Sequence, residues 1–311
     1  MRWPLSLSNF LLLLNLLWLP AMASEQQQAW HDLQQLSADE MAGRSPGSAG
    51  SLLAQRYLQQ RFHELELQPL SADYRLPFAA GRHKTGVNLL GVRRGCLQPD
   101  FYILVTAHYD HLPPQGKRIF NGADDNASGV TALLYLAAQT RLRCPAYSYL
   151  FLATDAEEMG LRGAKAFLAA PAVPLDAILF NLNLDMVSRG ERQQKLFLAG
   201  QWSFPAVKAL LPLQHGKVKL LPAPEYRRYS SAFSRPDNTS WHTGSDHAVF
   251  RRAGLPYFYL GVGTHAQYHT PEDDWQRVDA EFFQSVLQLI HQVQLWLDQQ
   301  PLKELQQHRR Q

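Results

Sequence analysis

Phe101-Tyr-Ile-Leu-Val-Thr106, followed at once by Ala107-His-Tyr-Asp110, is an apolar run rich in β-branched residues that ends on a histidine and an aspartate. A second stretch repeats the plan: Tyr147-Ser-Tyr-Leu-Phe-Leu-Ala153 runs into Thr154-Asp-Ala-Glu-Glu-Met159. Neither run alternates strictly between apolar and polar residues. Strands buried on both faces read this way, and they belong to parallel sheets. Working outward, residues 87–92, 177–184 and 256–260 are predicted as further strands, and residues 128–140, 161–169, 247–253 and 280–297 as helices. Strands separated by helices imply a largely parallel sheet covered on both faces. Near the start, residues 26–36 read as a polar helix. A Gly-rich loop (residues 41–50) follows, then an amphipathic helix with Leu53, Tyr57, Phe62 and Leu65 at helical spacing. Residues 191–245, rich in Pro, Arg, Tyr and Ser, show the weakest pattern and are expected to be an elaboration near the site.

Ligands of open α/β sheets sit outside the carboxyl ends of the strands, so the residues that follow each strand carry the functional reading. They are His108 and Asp110, then Asp155, Glu157 and Glu158, then Asp185, and then the loop through Tyr268 and His269. An acidic turn, Gly122-Ala-Asp-Asp-Asn-Ala-Ser-Gly129, precedes a helix. Each segment alone has an ordinary explanation, Asp124 and Asp125 as helix caps or Glu157 and Glu158 as a solvated pair. Together they bring histidines and carboxylates to one sheet edge. Such a mixture suits zinc with a position left for water, and a carboxylate can bridge two cations. Two-residue spacing on an extended segment lets Asp110 orient His108. Adjacent Glu157 and Glu158 cannot point alike if extended, so one can ligate while the other acts as a base. The residue pattern alone does not choose between Asp124 and Asp125.

The remaining features bound the setting. Arg2, the apolar run through Leu19 and Pro20-Ala-Met-Ala23 form the pattern of a secretory signal peptide cut after Ala23. This leaves a single domain over 24–311, periplasmic or secreted, with no stable membrane insertion after cleavage. A formal net charge of +3 is too near neutral to argue for nucleic acid as a partner. The only two cysteines, Cys96 and Cys144, precede His108 by 12 residues and Glu157 by 13. If the two strands are adjacent and parallel, the cysteines meet as a disulfide at the edge away from the site.

The sequence resembles the secreted co-catalytic dizinc aminopeptidases, metallopeptidase family twenty-eight, which also holds glutamate carboxypeptidases and glutaminyl cyclases. The resemblance rests on Met41-Ala-Gly-Arg44 with Gly47 and Gly50, Val87-Asn-Leu-Leu-Gly-Val92, Ala107-His-Tyr-Asp110, residues 122–129, Ala156-Glu-Glu-Met-Gly160, Asn183-Leu-Asp185, Ser245-Asp-His247 and Tyr268-His269. It implies a three-layer α/β/α sandwich around a mixed, mainly parallel sheet, with two zinc ions per chain. Under it His108 and Asp185 hold one zinc, Glu158 and His269 the other, and Asp125 bridges them. Glu157 is the general base, Asp110 orients His108, and Tyr268 donates to the oxyanion. Asp246 and His247 shape the pocket without binding metal. The Asp125–Asn126 peptide is expected to be cis. The implied reaction is hydrolysis at peptide or protein N-termini. A glutaminyl cyclase, a carboxypeptidase using Arg189, Arg227 or Arg228 for a substrate carboxylate, and a non-catalytic binding protein are the alternatives. No Gly-x-Ser-x-Gly nucleophile elbow surrounds Ser128, because Asn126 and Val130 occupy the glycine positions.

Overall fold

The computed structural model describes residues 24–190, 193–224 and 240–309. The expected signal peptide, residues 1–23, lies outside them, as do Arg227 and Arg228. Among the described residues no helix is long and apolar enough to cross a membrane.

In chain order the elements are α1 (24–36), α2 (Ala49–Glu64), β1 (Gln68–Pro69), β2 (Arg75–Gly81), β3 (Lys84–Arg93), β4 (Gln98–His108), α3 (Gly129–Leu142), β5 (Tyr147–Thr154), α4 (Arg162–Ala169), β6 (Ile178–Leu184), β7 (Lys195–Ala199), β8 (Leu213–His215), β9 (Val218–Pro222), α5 (His247–Arg252), β10 (Tyr257–Gly261), α6 (Ala280–Asp298) and α7 (Leu302–Gln307). The strands form one ten-stranded sheet in the order β1-β3-β5-β4-β6-β10-β7-β9-β8, with β2 also paired to β3. Its centre, β5-β4-β6-β10, is parallel, and β3 and β7 flank it antiparallel. The sheet is thus mixed and parallel at its centre, as the apolar runs imply. Every residue of β5 is buried. Residues 195–222, in the stretch with the weakest pattern, extend the sheet as β7, β8 and β9.

Alternation along the strands makes the three layers. Ile103, Val105 and Ala107 of β4 and Tyr149, Phe151 and Ala153 of β5 pack in one cluster with residues of α1, α2, α3, α6 and α7. Tyr102 and Leu104, with Leu150 and Leu152, pack in a second cluster with α4 and α5. The helices start where their caps allow: Ser48 accepts from the Ser51 amide at α2, and Asp279 from the Glu281 and Phe282 amides at α6. At the site-distal end, Cys96 and Cys144 form a disulfide with Cα atoms 6.0 Å apart, as their placement before adjacent parallel strands implies.

Candidate metal centre

The central strands end at one level. His108 pairs with Thr154 across β4 and β5, and Leu184 pairs with Leu260 across β6 and β10. The residues that follow leave the sheet together, and all five residues of the expected ligand set converge there. Asp125 stands in the middle with its two oxygens turned to different neighbours. Oδ1 is 3.4 Å from His108 Nε2; Oδ2 is 3.0 Å from His269 Nε2. Asp185 Oδ1 lies 3.6 Å from His108 Nε2, and Glu158 Oε1 lies 3.2 Å from His269 Nε2. A third histidine, His111, joins them: its Nδ1 is 3.1 Å from Glu158 Oε1 and 3.8 Å from Asp125 Oδ2. The ligand atoms fall into two sets with Asp125 common to both, His108–Asp125–Asp185 and His111–Asp125–Glu158–His269, each within 4.8 Å.

Asp124 and Asp125 part ways through the turn before α3. Asp124 faces inward, where its carboxylate accepts from the Ser188 amide (2.7 Å) and hydroxyl (2.8 Å) and lies 3.1 Å from His265 Nε2. Asp273 accepts the amides of both Asp124 and Asp125 at 3.0–3.1 Å. Asn126 ties the turn to the end of β6: its amide donates to the Leu184 carbonyl and its Oδ1 accepts from the Met186 and Gly129 amides. The Asp125–Asn126 peptide is cis, as the family resemblance implies. Asp125 is therefore left for the centre, an assignment the residue pattern alone could not make.

Asp110 acts differently from the sequence expectation. Its carboxylate is 3.7 Å from His108 Nδ1, too far for a hydrogen bond. Instead it accepts the amides of Glu157 (3.0 Å) and Glu158 (3.3 Å). The backbone carbonyl of Asp110 stands 3.1 Å from His108 Nδ1. A carbonyl only accepts, so Nδ1 donates to it and Nε2 is the ring nitrogen turned to the centre. The physical reason is the turn at Glu157: its free amides are stronger partners for a carboxylate than a ring nitrogen already served by a carbonyl. Asp110 thus faces His108 with its carbonyl and the two glutamate amides with its carboxylate.

Three further supports escaped the sequence reading. Arg44 is fully buried and donates to the carbonyls of Leu36, Tyr109, Asn121 and Gly122, clamping the strands of chain that carry His111 and the acidic turn. Burial lowers its guanidinium to about 10 against the pull of the Asp110 and Asp125 carboxylates. Tyr259 donates to Asp185 Oδ2 at 3.3 Å. Asp273, already described, is the third. His111 carried a signal as the histidine directly after the Ala107-His-Tyr-Asp110 motif, and Arg44 as the last residue of Met41-Ala-Gly-Arg44. Arg44, Tyr259 and Asp273 act through contacts far apart in the chain.

The donors fit a cation. Asp185 Oδ1 and His269 Nε2 are buried and make no hydrogen bond. Buried polar atoms are rarely left so, unless a group that accepts their lone pairs belongs there. Charge tells the same story. Burial opposes a charge on His269, yet the Asp125 and Glu158 carboxylates raise it to about 10. Burial likewise opposes ionisation of Glu158, but His111 and His269 bring it down to about 2. Carboxylates this crowded favour positive charge between them, and a divalent ion would supply it.

Glu157 is partly buried beside this cluster. Burial drives its carboxyl well above the usual range; among nearby charges His108 opposes this most, and Asp246 and Glu158 reinforce it. Asp246, fully buried, accepts from the Thr154 hydroxyl. His247 Nε2 lies 2.9 Å from the Trp241 carbonyl, and its ring stacks against Tyr257 and Tyr259. Neither Asp246 nor His247 belongs to a donor set. The Tyr268 ring stacks on His269 with centroids 3.8 Å apart.

A mixed sheet of this topology, with histidines and carboxylates gathered past its parallel strand ends, is the zinc-exopeptidase fold. It is similar to a zinc aminopeptidase from Bacillus subtilis (TM-score 0.65, 16% identity, covering 86% of this chain and 94% of that one). It is also similar to a Zn-dependent exopeptidase from Parabacteroides distasonis (TM-score 0.63, 19% identity, covering 86% and 97%). At these identities the likeness shows the fold. The chain belongs to peptidase family M28, whose model matches residues 88–294. Among curated proteins, Aminopeptidase YwaD of Bacillus subtilis is 27% identical over 230 residues, 69% of this chain and 45% of that protein. The alkaline phosphatase isozyme conversion protein of Escherichia coli is 25% identical over 168 residues, 48% of each. The matches span less than half of these curated relatives.

Proposed function

We propose that this chain is a zinc-dependent exopeptidase, an aminopeptidase that hydrolyses the N-terminal peptide bond of peptides or proteins. The observation that carries the reading is Asp125, whose two oxygens each face a different donor set. His108 and Asp185 would hold one zinc ion, Glu158 and His269 the other, and Asp125 both. A bound zinc pair supplies an acidified water and polarisation of the scissile carbonyl. Glu157 accepts a proton from the attacking water and hands it to the leaving amine. Burial raises its carboxyl, which helps it hold that proton until the amine leaves. Asp110 holds the Glu157 and Glu158 amides so that the two side chains diverge. Tyr268, whose ring stacks on His269, would donate to the oxyanion.

The carboxylate-rich edge complements a substrate ammonium. A carboxypeptidase needs a cation for the substrate carboxylate, and Arg189 already donates to Gln267 at 3.0 Å. The near-neutral chain and the acidic site favour peptides over nucleic acids as partners. Residues 1–23 direct export to the periplasm or the medium, and 24–311 act as one domain. Purified protein assayed on aminoacyl, carboxyl-terminal and N-terminal-glutaminyl peptides, with and without chelator, tests the reading. Zinc-dependent release of N-terminal residues is expected. Exclusive carboxyl-terminal cleavage or cyclisation would replace it.

A further inference from the structure

His111 has no part in the reading above, yet it points into the centre. Its side chain is wholly buried. Nδ1 faces Glu158 Oε1 (3.1 Å) and Asp125 Oδ2 (3.8 Å), the same two oxygens that His269 Nε2 faces at 3.2 and 3.0 Å. The two rings meet edge to face at 5.6 Å. The orientation is built in from behind. A Cβ on Gly122 would come within 2.6 Å of His111 Cγ and Cδ2. The Cγ–Cδ2 edge therefore lies on bare backbone, and the Nδ1 edge is turned to the carboxylates. A glycine at 122 is what lets the ring sit this deep.

The two donor sets then differ by one imidazole. Both contain Asp125 and one further carboxylate, Asp185 or Glu158; one holds His108 alone, the other His111 and His269. Four protein donors make a closed zinc site, whereas three leave a coordination position open. We propose that His111 is a fourth protein ligand on the Glu158–His269 side, which makes that position the tightly held one and the His108–Asp185 position the open, exchangeable one. Resting on the two-ion reading, this adds an order to it: the ion with four protein donors is held more tightly than the ion with three. The competing role for His111 is an Nδ1–H donated to Glu158, which orients the glutamate and binds no metal.

Two measurements decide. Zn²⁺ titration of the metal-free full chain against a competing chelator should resolve two binding steps at least about tenfold apart. His111→Ala should weaken the tighter step by about 10–100-fold, the size of effect expected for losing a metal-site partner, and leave the weaker step in place. Because a buried substitution can perturb folding, the second measurement uses the unaltered protein: ¹⁵N-histidine-labelled chain loaded with ¹¹³Cd²⁺. Metal coupling at Nδ1 of His111, alongside His108 and His269, is the expected result. A protonated, uncoupled Nδ1 with two ions bound would overturn the proposal and leave the two-ion reading standing. Failure of the unaltered protein to take up two ions would overturn the two-ion reading itself.

Discussion

At Glu157 the protein keeps a carboxyl that its surroundings push toward the neutral form, next to Glu158, which they hold ionised at about 2. One turn of chain thus carries two glutamates with opposite electrostatics, the pattern of a base beside a ligand. Replacing Glu157 by Gln keeps its shape and removes its proton chemistry. The variant should lose about 10²–10⁴-fold in kcat while its zinc content and melting temperature stay those of the parent. Glu158→Gln should instead lower zinc content. Steady-state kinetics with elemental analysis separate the two, and near-parental turnover in Glu157→Gln would move the base elsewhere. Asp110 shows the limit of spacing arguments at this scale. Its position two residues after His108 marked it as a partner of the ring, but the ring nitrogen faces its backbone carbonyl, and the side chain accepts from the turn after β5.

The turn that ends at α3 is the element on which the centre depends. Gly129 opens that helix against the end of β6, and a Cβ there would stand 2.3 Å from Asn126 Oδ1 and 2.4 Å from the Leu184 carbonyl. Gly129→Ala must push Asn126 off its anchor and Asp125 with it. A loss of about 1–3 kcal/mol, the usual range for overpacking, together with reduced zinc content, is expected in denaturant unfolding and metal analysis. Unchanged values for both would show that the turn can absorb the methyl. Along α6, burial, aided by Arg143, holds His291 down at about 4. An unfolded histidine titrates near 6.5, so the unfolded chain takes up this proton first as pH falls. His291 therefore contributes stability that is complete above about pH 6.5 and is lost on acidification toward pH 4. His291→Gln should lose less stability than the parent between pH 7 and 4.5 in denaturant titrations, and parallel curves for the two proteins would refute this.

Across the whole molecule the disulfide and the centre occupy opposite ends of the same parallel strands. Cys96 and Cys144 close a loop of 48 residues at the entry of β4 and β5, and the ligands sit at the exit. Unreduced, denatured protein should show no titratable thiol. The Cys96→Ser/Cys144→Ser double variant should lose up to roughly 4 kcal/mol of stability in the chain-entropy account while keeping the parent's zinc stoichiometry and kcat. A free thiol in the untreated protein, or a change in zinc binding in the variant, would contradict this separation.

The central strands were legible in the sequence because a strand buried on both faces must be apolar at nearly every position, as six of the eight buried residues of β5 are, Ser148 and Thr154 being the exceptions. Residues at their exits were legible because few processes other than a site put His108, Glu158, Asp185 and His269 after successive strands. The edge was not. Strands β8 and β9 are three and five residues long and partly exposed, too short and too wet to impose a period. Tertiary structure alone settled the rest. It chose Asp125 over Asp124, because only the folded turn brings Ser188, His265 and Asp273 around the first acid and its neighbour's amide. It also brought His111 to the Glu158 carboxylate and Arg44 to four carbonyls. Composition and period report how a residue meets its own strand or helix; which carboxylate faces which histidine depends on distances between segments far apart in the chain, and those exist only after the layers have packed.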